Sequence, residues 1–124
     1  MTDGLSATTA DAGLGTITGT DMAYVQLHTG APGPAGTSNV SSVTTREATT
    51  GWGSPSGGVI SISGTPTWSS WGGSNGEVVT DISLWSASSA GTFGGSMPLN
   101  SSVTMDTGDS LTLTSISITI PTAS

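Results

Sequence analysis

Alternating apolar and polar residues mark the first β-strand, at residues 22–29. Within this segment, MAYVQLHT, Val25 and Leu27 fall on one side of an extended chain, and the intervening residues, ending at His28, fall on the other. Successive side chains of a strand point to opposite faces, so this alternation is typical of a strand with one face on a core. We expect Val25 and Leu27 to point inward and His28 to point outward.

Seven further segments carry strand-forming residues, with turn signals roughly every ten residues. They are residues 44–52, 59–63, 65–71, 77–87, 92–99, 101–105 and 111–120. The alternating segment 77–87, EVVTDISLWSA, is the strongest candidate for a central strand, whereas glycines interrupt residues 92–99. The pattern predicts an all-β fold, an antiparallel β-sandwich of about seven to eight strands that occupies residues 22–124.

The last apolar segment, residues 111–120, changes phase in its middle. Leu111 and Leu113 occupy odd positions, whereas the isoleucines that follow, from Ile116 onward, occupy even positions. A regular strand cannot bury both sets on one face. We therefore expect either a β-bulge near Ser115 or a strand that contributes to two sheets.

Small residues dominate residues 1–21, which we assign to an N-terminal arm or short helix. Residues 5–14 fit a weak helix of about two turns, with Asp3 or Ser6 as the N-cap. Gly13 or Gly15 would end this helix. Such a short helix is unstable alone in water, so it must pack against the sandwich or a neighbouring subunit, or else remain extended.

Composition explains how a β domain can form with few apolar residues. Hydrophobic residues make up 33% of the 124 residues and charged residues only 7%, while 22 Ser, 22 Thr and 19 Gly fill the difference. Disordered chains usually combine low hydrophobicity with high charge, and here the charge is scarce. We therefore expect a folded domain with long polar turns.

The formal net charge is −7, and Arg46 is the single Lys or Arg. Nucleic-acid and anionic-membrane binding both depend on clustered cations, so neither class of partner is expected. The chain has no Cys, which excludes disulfides and cysteine-based sites. No apolar run is long enough for a transmembrane helix, and the first residues lack the basic and apolar regions of a signal peptide.

Candidate catalytic and metal-binding residues are few, and we expect neither an enzyme nor a cofactor. His28 is the single histidine, and no G-x-S-x-G motif accompanies it, so a backbone hydrogen bond is the favoured role for its ring. Residues 106–109, DTGD, lack the full spacing of a calcium loop and are typical of a β-turn. A hydrolase centred on His28 and a calcium site remain the alternatives.

Tryptophan and arginine are the side chains most suited to partner contacts. Trp52, Trp68, Trp71 and Trp85 are many for so small a chain. We favour core and subunit-interface positions for them, with stacking on glycans through Trp52, Trp68 or Trp71 as the alternative. Arg46 is expected to pair with a carboxylate inside the domain or across a subunit boundary.

Three blocks of the sequence resemble a family of small virion proteins from tailed bacteriophages, especially those of actinobacteria. Residues 24–33, YVQLHTGAPG, followed by Gly36 and residues 39–40, resemble its Y-x-x-LHT-x-x-PG opening. Residues 81–87 and 90–95 resemble its V-x-LW-x-A and GG block, and residues 108–116 resemble its closing turn and strand. Members of this family are head-decoration, minor tail or tail-fibre proteins.

The resemblance implies a structural protein of the virion, assembled in the host cytoplasm. The favoured function is a capsid decoration protein bound in many copies to the major capsid protein, and the alternative is a minor tail or tail-fibre protein that binds host glycans. A homo-oligomer is expected in either case. The N-terminal arm and the Pro/Gly-rich loop at residues 30–42 are the main candidate contact elements. The candidate contact residues are Leu5, Leu14, His28, Pro32, Pro34, Arg46, Trp68 and Trp71.

Overall fold

The computed structural model describes residues 4–123, which form one α-helix followed by eight β-strands. The helix α1 spans Ala7–Asp21. The strands are β1 (Tyr24–His28), β2 (Glu47–Ala48), β3 (Val59–Ser61), β4 (Thr67–Trp68), β5 (Glu77–Trp85), β6 (Phe93–Met105), β7 (Leu111–Thr112) and β8 (Ser117–Thr119).

The strands form three antiparallel sheets. The largest has the order β2-β1-β5-β6, and two small sheets are formed by β3 with β8 and by β4 with β7. Apolar side chains of the large sheet pack against those of the small sheets and the tryptophans between them. This core contains Met22, Val25, Leu27, Trp68, Trp71, Val79, Ile82, Leu84, Met105, Leu111, Leu113 and Ile116. The prediction of an all-β, antiparallel, sandwich-like fold is confirmed.

The phase change in the last apolar segment reflects a chain that serves two sheets. β7 pairs with β4 through Leu111 opposite Trp68, and β8 pairs with β3 through Ile118 opposite Ile60. Between them, Ile116 returns to the core at 2% exposure. Of the two predicted alternatives, the structure therefore has the second, a segment that contributes to two sheets. Its first part, β7, pairs with β4, and its last part, β8, pairs with β3.

Register shifts in the large sheet correct two sequence expectations. The alternation predicted along β5 is not regular, because the register shifts between Val79 and Asp81, so that Val79 and Ile82 both reach the core. The two short strands predicted at residues 92–99 and 101–105 form one strand, β6. Its pairing with β5 is interrupted between Pro98 and Val103, which includes the boundary predicted between the two segments.

The helix α1 is longer than its sequence predicts. Ser6 is the N-cap and its Oγ accepts a hydrogen bond from the Thr9 amide at 3.2 Å, while the other candidate cap, Asp3, lies outside the described residues. The helix continues through Gly13 and Gly15 to Asp21, so the predicted end was wrong. Tertiary packing explains the extension, since poor helix formers persist where one helix face is buried.

One face of α1 packs on the sandwich. Ala10, Leu14 and Thr18, which are four residues apart, are each 2% exposed or less. The Asp11 carboxylate accepts a hydrogen bond from the Gly58 amide at 2.7 Å and so ties the helix to the turn before β3. No helix within residues 4–123 is long and apolar enough to cross a membrane.

Candidate functional site

His28 is buried on the outer face of the large sheet. It lies on the face opposite Val25 and Leu27, as expected, but its side chain is 0% exposed because another segment covers it there. The segment after the loop at residues 30–39 explains this, because it folds back along β1. Val40 forms a β-bridge with His28, and the Ser41 amide donates to the Leu27 carbonyl at 3.1 Å.

Both ring nitrogens of His28 have hydrogen-bond partners inside the fold. Nδ1 lies 2.8 Å from the Ser38 carbonyl oxygen, which can only accept, so Nδ1 carries a proton. Nε2 lies 2.7 Å from Ser83 Oγ, which in turn accepts from Trp85 Nε1 at 2.7 Å. The neutral ring with its proton on Nδ1 satisfies this whole chain. The predicted backbone hydrogen bond of His28 is confirmed.

Arg46 binds carbonyl groups instead of a carboxylate. Its Nη1 donates to the carbonyl oxygens of Ala87 at 2.9 Å and Ala90 at 2.7 Å. Nε donates to Gln26 Oε1 at 3.4 Å, and the guanidinium carbon lies 4.0 Å from the centre of the Trp85 ring. The expected ion pair inside the domain was therefore wrong for the residues that the structure describes, and pairing across a subunit boundary stays a prediction.

The environment of Arg46 keeps a charged group close to the apolar Trp85 ring. Partial burial lowers the pKa of the Arg46 guanidinium from its usual value, because desolvation disfavours the charged form. Arginine nevertheless stays protonated in proteins. The planar group can stack on an aromatic face while its edge donates to carbonyls, a combination that lysine cannot reproduce. Arg46 thus fastens the turn after β5 to the sheet.

The tryptophans belong mainly to the core, as the favoured interpretation predicted. Trp68 and Trp71 are 3% and 2% exposed, and Trp85 is also buried. Each of the four indole N–H groups donates to an oxygen of the chain itself. The acceptors are the carbonyls of Met22 for Trp52, Thr45 for Trp68 and Ser74 for Trp71, and Ser83 Oγ for Trp85. Trp68 and Trp71 therefore offer no open ring face for stacking on a glycan.

The eight candidate contact residues are scattered between core and surface. Five of them are buried in the chain, namely Leu14, His28, Pro32, Trp68 and Trp71. Leu5 is 47% exposed, Pro34 is exposed at the loop tip, and Arg46 is half-buried. A role in partner contacts stays a prediction for all eight, and the structure does not bring them together into one surface.

A groove between α1 and the segment before β3 is the most site-like concavity. We call it the Trp52 groove, and its volume is about 430 Å³. Its lining consists of Gly15, Thr18, Gly19, Ala23, Tyr24, Ala48, Thr49, Thr50, Gly51, Trp52, Gly53 and Ile60. These described lining residues are all uncharged, and both of the aromatic ones, Tyr24 and Trp52, are half-buried.

The wall around Trp52 is built from an unusual backbone. Thr50 has a φ of 58° and Gly51 a φ of 114°, so the chain leaves the strand conformation here and the predicted strand at residues 44–52 shrinks to β2. Positive φ is rare for a β-branched residue and costs free energy. Hydrogen bonds tie this wall to the residues that precede β1. Trp52 Nε1 donates to the Met22 carbonyl at 2.8 Å, and the Thr49 amide donates to the Ala23 carbonyl at 2.9 Å.

Two helix glycines form the opposite wall of the Trp52 groove. Gly15 and Gly19 are four residues apart on α1, and a Cβ atom built on either would meet nothing within 4 Å. Glycine inside a helix costs about 1 kcal/mol relative to alanine. Close packing does not account for these glycines, and both line the groove without a side chain. The G-x-x-x-G spacing and the glycine-flanked Trp52 are the sequence signals that could have indicated this site.

A second groove contains Trp68 and Trp71, but it differs in character. Its volume is about 450 Å³, and its lining is rich in Ser and Thr with one carboxylate, Glu47. Because both tryptophans are buried, they expose little ring area to this groove. The Trp52 groove therefore fits the combination of aromatic and polar groups typical of ligand pockets better.

Residues 106–109 form a turn, as predicted. The Asp109 amide donates to the Asp106 carbonyl at 3.0 Å, and Asp109 Oδ2 accepts from the Asp106 amide at 2.9 Å. Gly108 supplies the positive φ, 89°, that such a turn needs. Within residues 4–123, no group of three or more His, Asp or Glu side chains is arranged to hold a metal ion.

Comparison with known proteins shows a match between the chain and a family of phage proteins. A protein family described as "Podophage GP4 fiber I protein gp80" matches residues 1–121. No curated protein matches the chain. The family match supports the resemblance to a family of phage virion proteins. It does not support the more specific resemblance to proteins from phages of actinobacteria.

Proposed function

The chain belongs to the podophage GP4 fiber I protein gp80 family, and from that membership we propose that it is a structural subunit of a phage tail fibre. The observation that carries this proposal is the extent of the match, which runs over residues 1–121 and so includes α1 and all eight strands described above. A protein of this family is a component of the virion. That the chain lies in the tail fibre of the virion is our proposal.

The family description favours the tail-fibre interpretation over the capsid decoration that we preferred from the sequence. This description names a fibre and not a head protein. Binding to the major capsid protein therefore stays a prediction without further support. Fibre subunits act by presenting surface and by holding their shape, and both requirements suit a rigid β domain.

We propose a non-enzymatic role for the subunit. The strongest support comes from His28, the only histidine of the chain. A general base needs a ring nitrogen within reach of a substrate proton. Both His28 nitrogens are instead bound to groups of the fold, Ser38 and Ser83, and the ring is fully buried.

The partners that we propose are other tail proteins and further copies of this chain. Exposed apolar side chains are the natural contacts for such partners. Over the described residues these are Leu5, Ile17, Val40, Val59 and Val78, each at least 36% exposed. Repetition of a modest interface in a symmetric fibre would provide avidity without a large contact area in any one copy.

Immunogold labelling of purified particles tests the position in the fibre. An antibody raised against the folded chain should place gold on tail fibres, and quantitative mass spectrometry should find far fewer copies of the chain than of the major capsid protein. Gold spread over the head, with a copy number close to that of the major capsid protein, would support decoration instead and would overturn the fibre proposal.

A further inference from the structure

We propose that the Trp52 groove binds a neutral carbohydrate, which deepens the fibre role and rests on it. A fibre subunit on the outside of the particle would be accessible to carbohydrates on a cell surface. The groove would then be the place where each subunit holds a sugar. Three features of the groove support this chemistry, namely its charge, its aromatic residues and its glycines.

The charge of the lining selects an uncharged ligand. The described residues that line the groove include no carboxylate and no cation, whereas the chain as a whole has a net charge of −7. An anionic ligand would find no positive partner in the groove and would be repelled by the rest of the surface. A cationic ligand would find no carboxylate in the lining. A neutral polyhydroxyl compound avoids both penalties.

The two aromatic residues provide a platform for a sugar ring. Trp52 and Tyr24 both line the groove and are half-buried, so part of each ring is accessible. The carbon-bound hydrogens of a sugar ring pack favourably against the electron-rich face of an aromatic ring. The hydrogen bond from Trp52 Nε1 to Met22 fixes the indole before a ligand arrives, and such preorganisation reduces the entropy lost on binding.

Polar groups beside the platform can bind sugar hydroxyls. The exposed Thr50 offers its hydroxyl oxygen as an acceptor, and the exposed residues Gly51 and Gly53 leave the backbone next to Trp52 accessible. Thr18 and Thr49 line the same groove but are buried, and their hydroxyls donate to the carbonyls of Leu14 and Ala23. A small number of polar groups around an apolar surface is the usual composition of a specific ligand pocket. Gly15 and Gly19 complete the site, since both line the groove and a Cβ atom on either would meet nothing within 4 Å.

Sugar binding to the full chain gives a direct test. The protein is screened on an array of neutral and uronic-acid-containing bacterial oligosaccharides, and the strongest neutral ligand is then titrated while tryptophan fluorescence is recorded. We expect saturable binding of a neutral oligosaccharide and no comparable binding of acidic ones. Trp52→Leu should abolish the fluorescence change while the circular dichroism of the fold is retained.

Alanine at the helix glycines separates binding from folding. Gly19→Ala should weaken the binding of the same neutral oligosaccharide at least tenfold, because the methyl group enters the groove. The same substitution should raise Tm by about 3–5 °C, because alanine favours the helix. Gly13→Ala is the matched control, since its Cβ would lie at an ordinary 4.0 Å from Ile120 Cδ1 and outside the groove. It should raise Tm similarly and leave binding unchanged.

Several results would overturn the proposal. These are an array without any neutral ligand, binding restricted to acidic oligosaccharides, or wild-type affinity in Gly19→Ala. Self-association that Gly19→Ala abolishes, without sugar binding, would mean that the groove holds a second copy of the chain. The immunogold experiment reports separately on the fibre. Gold on the fibre without sugar binding overturns only the carbohydrate site, and gold on the head overturns the fibre role.

Discussion

Hydrogen bonds from side chains to the backbone hold together a chain that has almost no ion pairs to use. Glu77 illustrates this at the residue scale, because its carboxylate accepts from the Ser42 amide at 2.9 Å and from the hydroxyls of Ser42 and Ser41 at 2.7 Å and 3.1 Å. Arg46 and the indoles act in the same way. Among the side chains that the structure describes, no buried nitrogen or oxygen lacks a partner. Such full satisfaction is what makes buried polar groups tolerable.

We predict that His28→Ala destabilises the fold by about 2–4 kcal/mol, because packing is lost, the Ser38 carbonyl loses its donor and the Ser83 hydroxyl proton loses its acceptor. Urea denaturation followed by fluorescence measures the free energy of unfolding. Ser38→Ala is the control, because Ser38 contributes only its backbone carbonyl to His28. It should change the stability by less than about 0.5 kcal/mol. A loss below that value in His28→Ala would mean that the network contributes nothing.

At the scale of elements, the contact between α1 and β6 explains one of two adjacent glycines. The strand β6 passes beneath the end of the helix, and a Cβ atom on Gly94 would collide with the Asp21 carbonyl oxygen. A Cβ on Gly95 would instead lie 3.5 Å from the terminal methyl of Met22, an ordinary contact. The glycines that suggested a broken strand are therefore compatible with a continuous one, since Gly94 permits the close approach of the helix.

Alanine substitutions at these glycines should have unequal effects. Gly94→Ala should cost about 2 kcal/mol or more, because the backbone of the helix end must move. Gly95→Ala should stay within about 1 kcal/mol of the wild type, because the methionine side chain can adjust. Chemical denaturation of the two variants in parallel measures the difference. Equal effects would contradict the packing of α1 on β6.

For the whole molecule, the balance of charges controls how stability responds to salt. The chain has eight acidic side chains and one arginine, and that arginine binds carbonyl groups. Long-range electrostatics should therefore be mainly repulsive at low ionic strength. Salt screens such repulsion, since the Debye length falls from about 30 Å at 0.01 M to about 8 Å at 0.15 M.

We predict that Tm rises by about 1–3 °C when NaCl is increased from 10 to 150 mM, as repulsion among the acidic groups is screened. Differential scanning calorimetry measures the change. KCl at equal ionic strength should produce the same shift, because screening does not depend on the identity of the monovalent cation. A fall in Tm would show that attractive ion pairs dominate instead.

The sequence by itself determined the fold class and the local pattern of the strands. Alternation placed Val25 and Leu27 in the core. The change of phase after Leu113 indicated either a bulge or a chain shared between two sheets, and the structure has the second. The same residues indicated a phage virion protein, which the family match supports. These features depend on neighbouring positions along the chain, where periodicity and turn residues carry the information.

Only the tertiary structure decided which surfaces outside the sandwich core are covered by other segments, and where a groove opens. Alternation assigns His28 to the face opposite the core, but a returning segment from residue 38 to residue 41 buries it. Helix propensity ends α1 near Gly15, but packing on the sandwich carries it to Asp21. The Trp52 groove joins α1 to a segment more than thirty residues away. Burial of this kind depends on contacts between distant segments, and a local pattern does not record them.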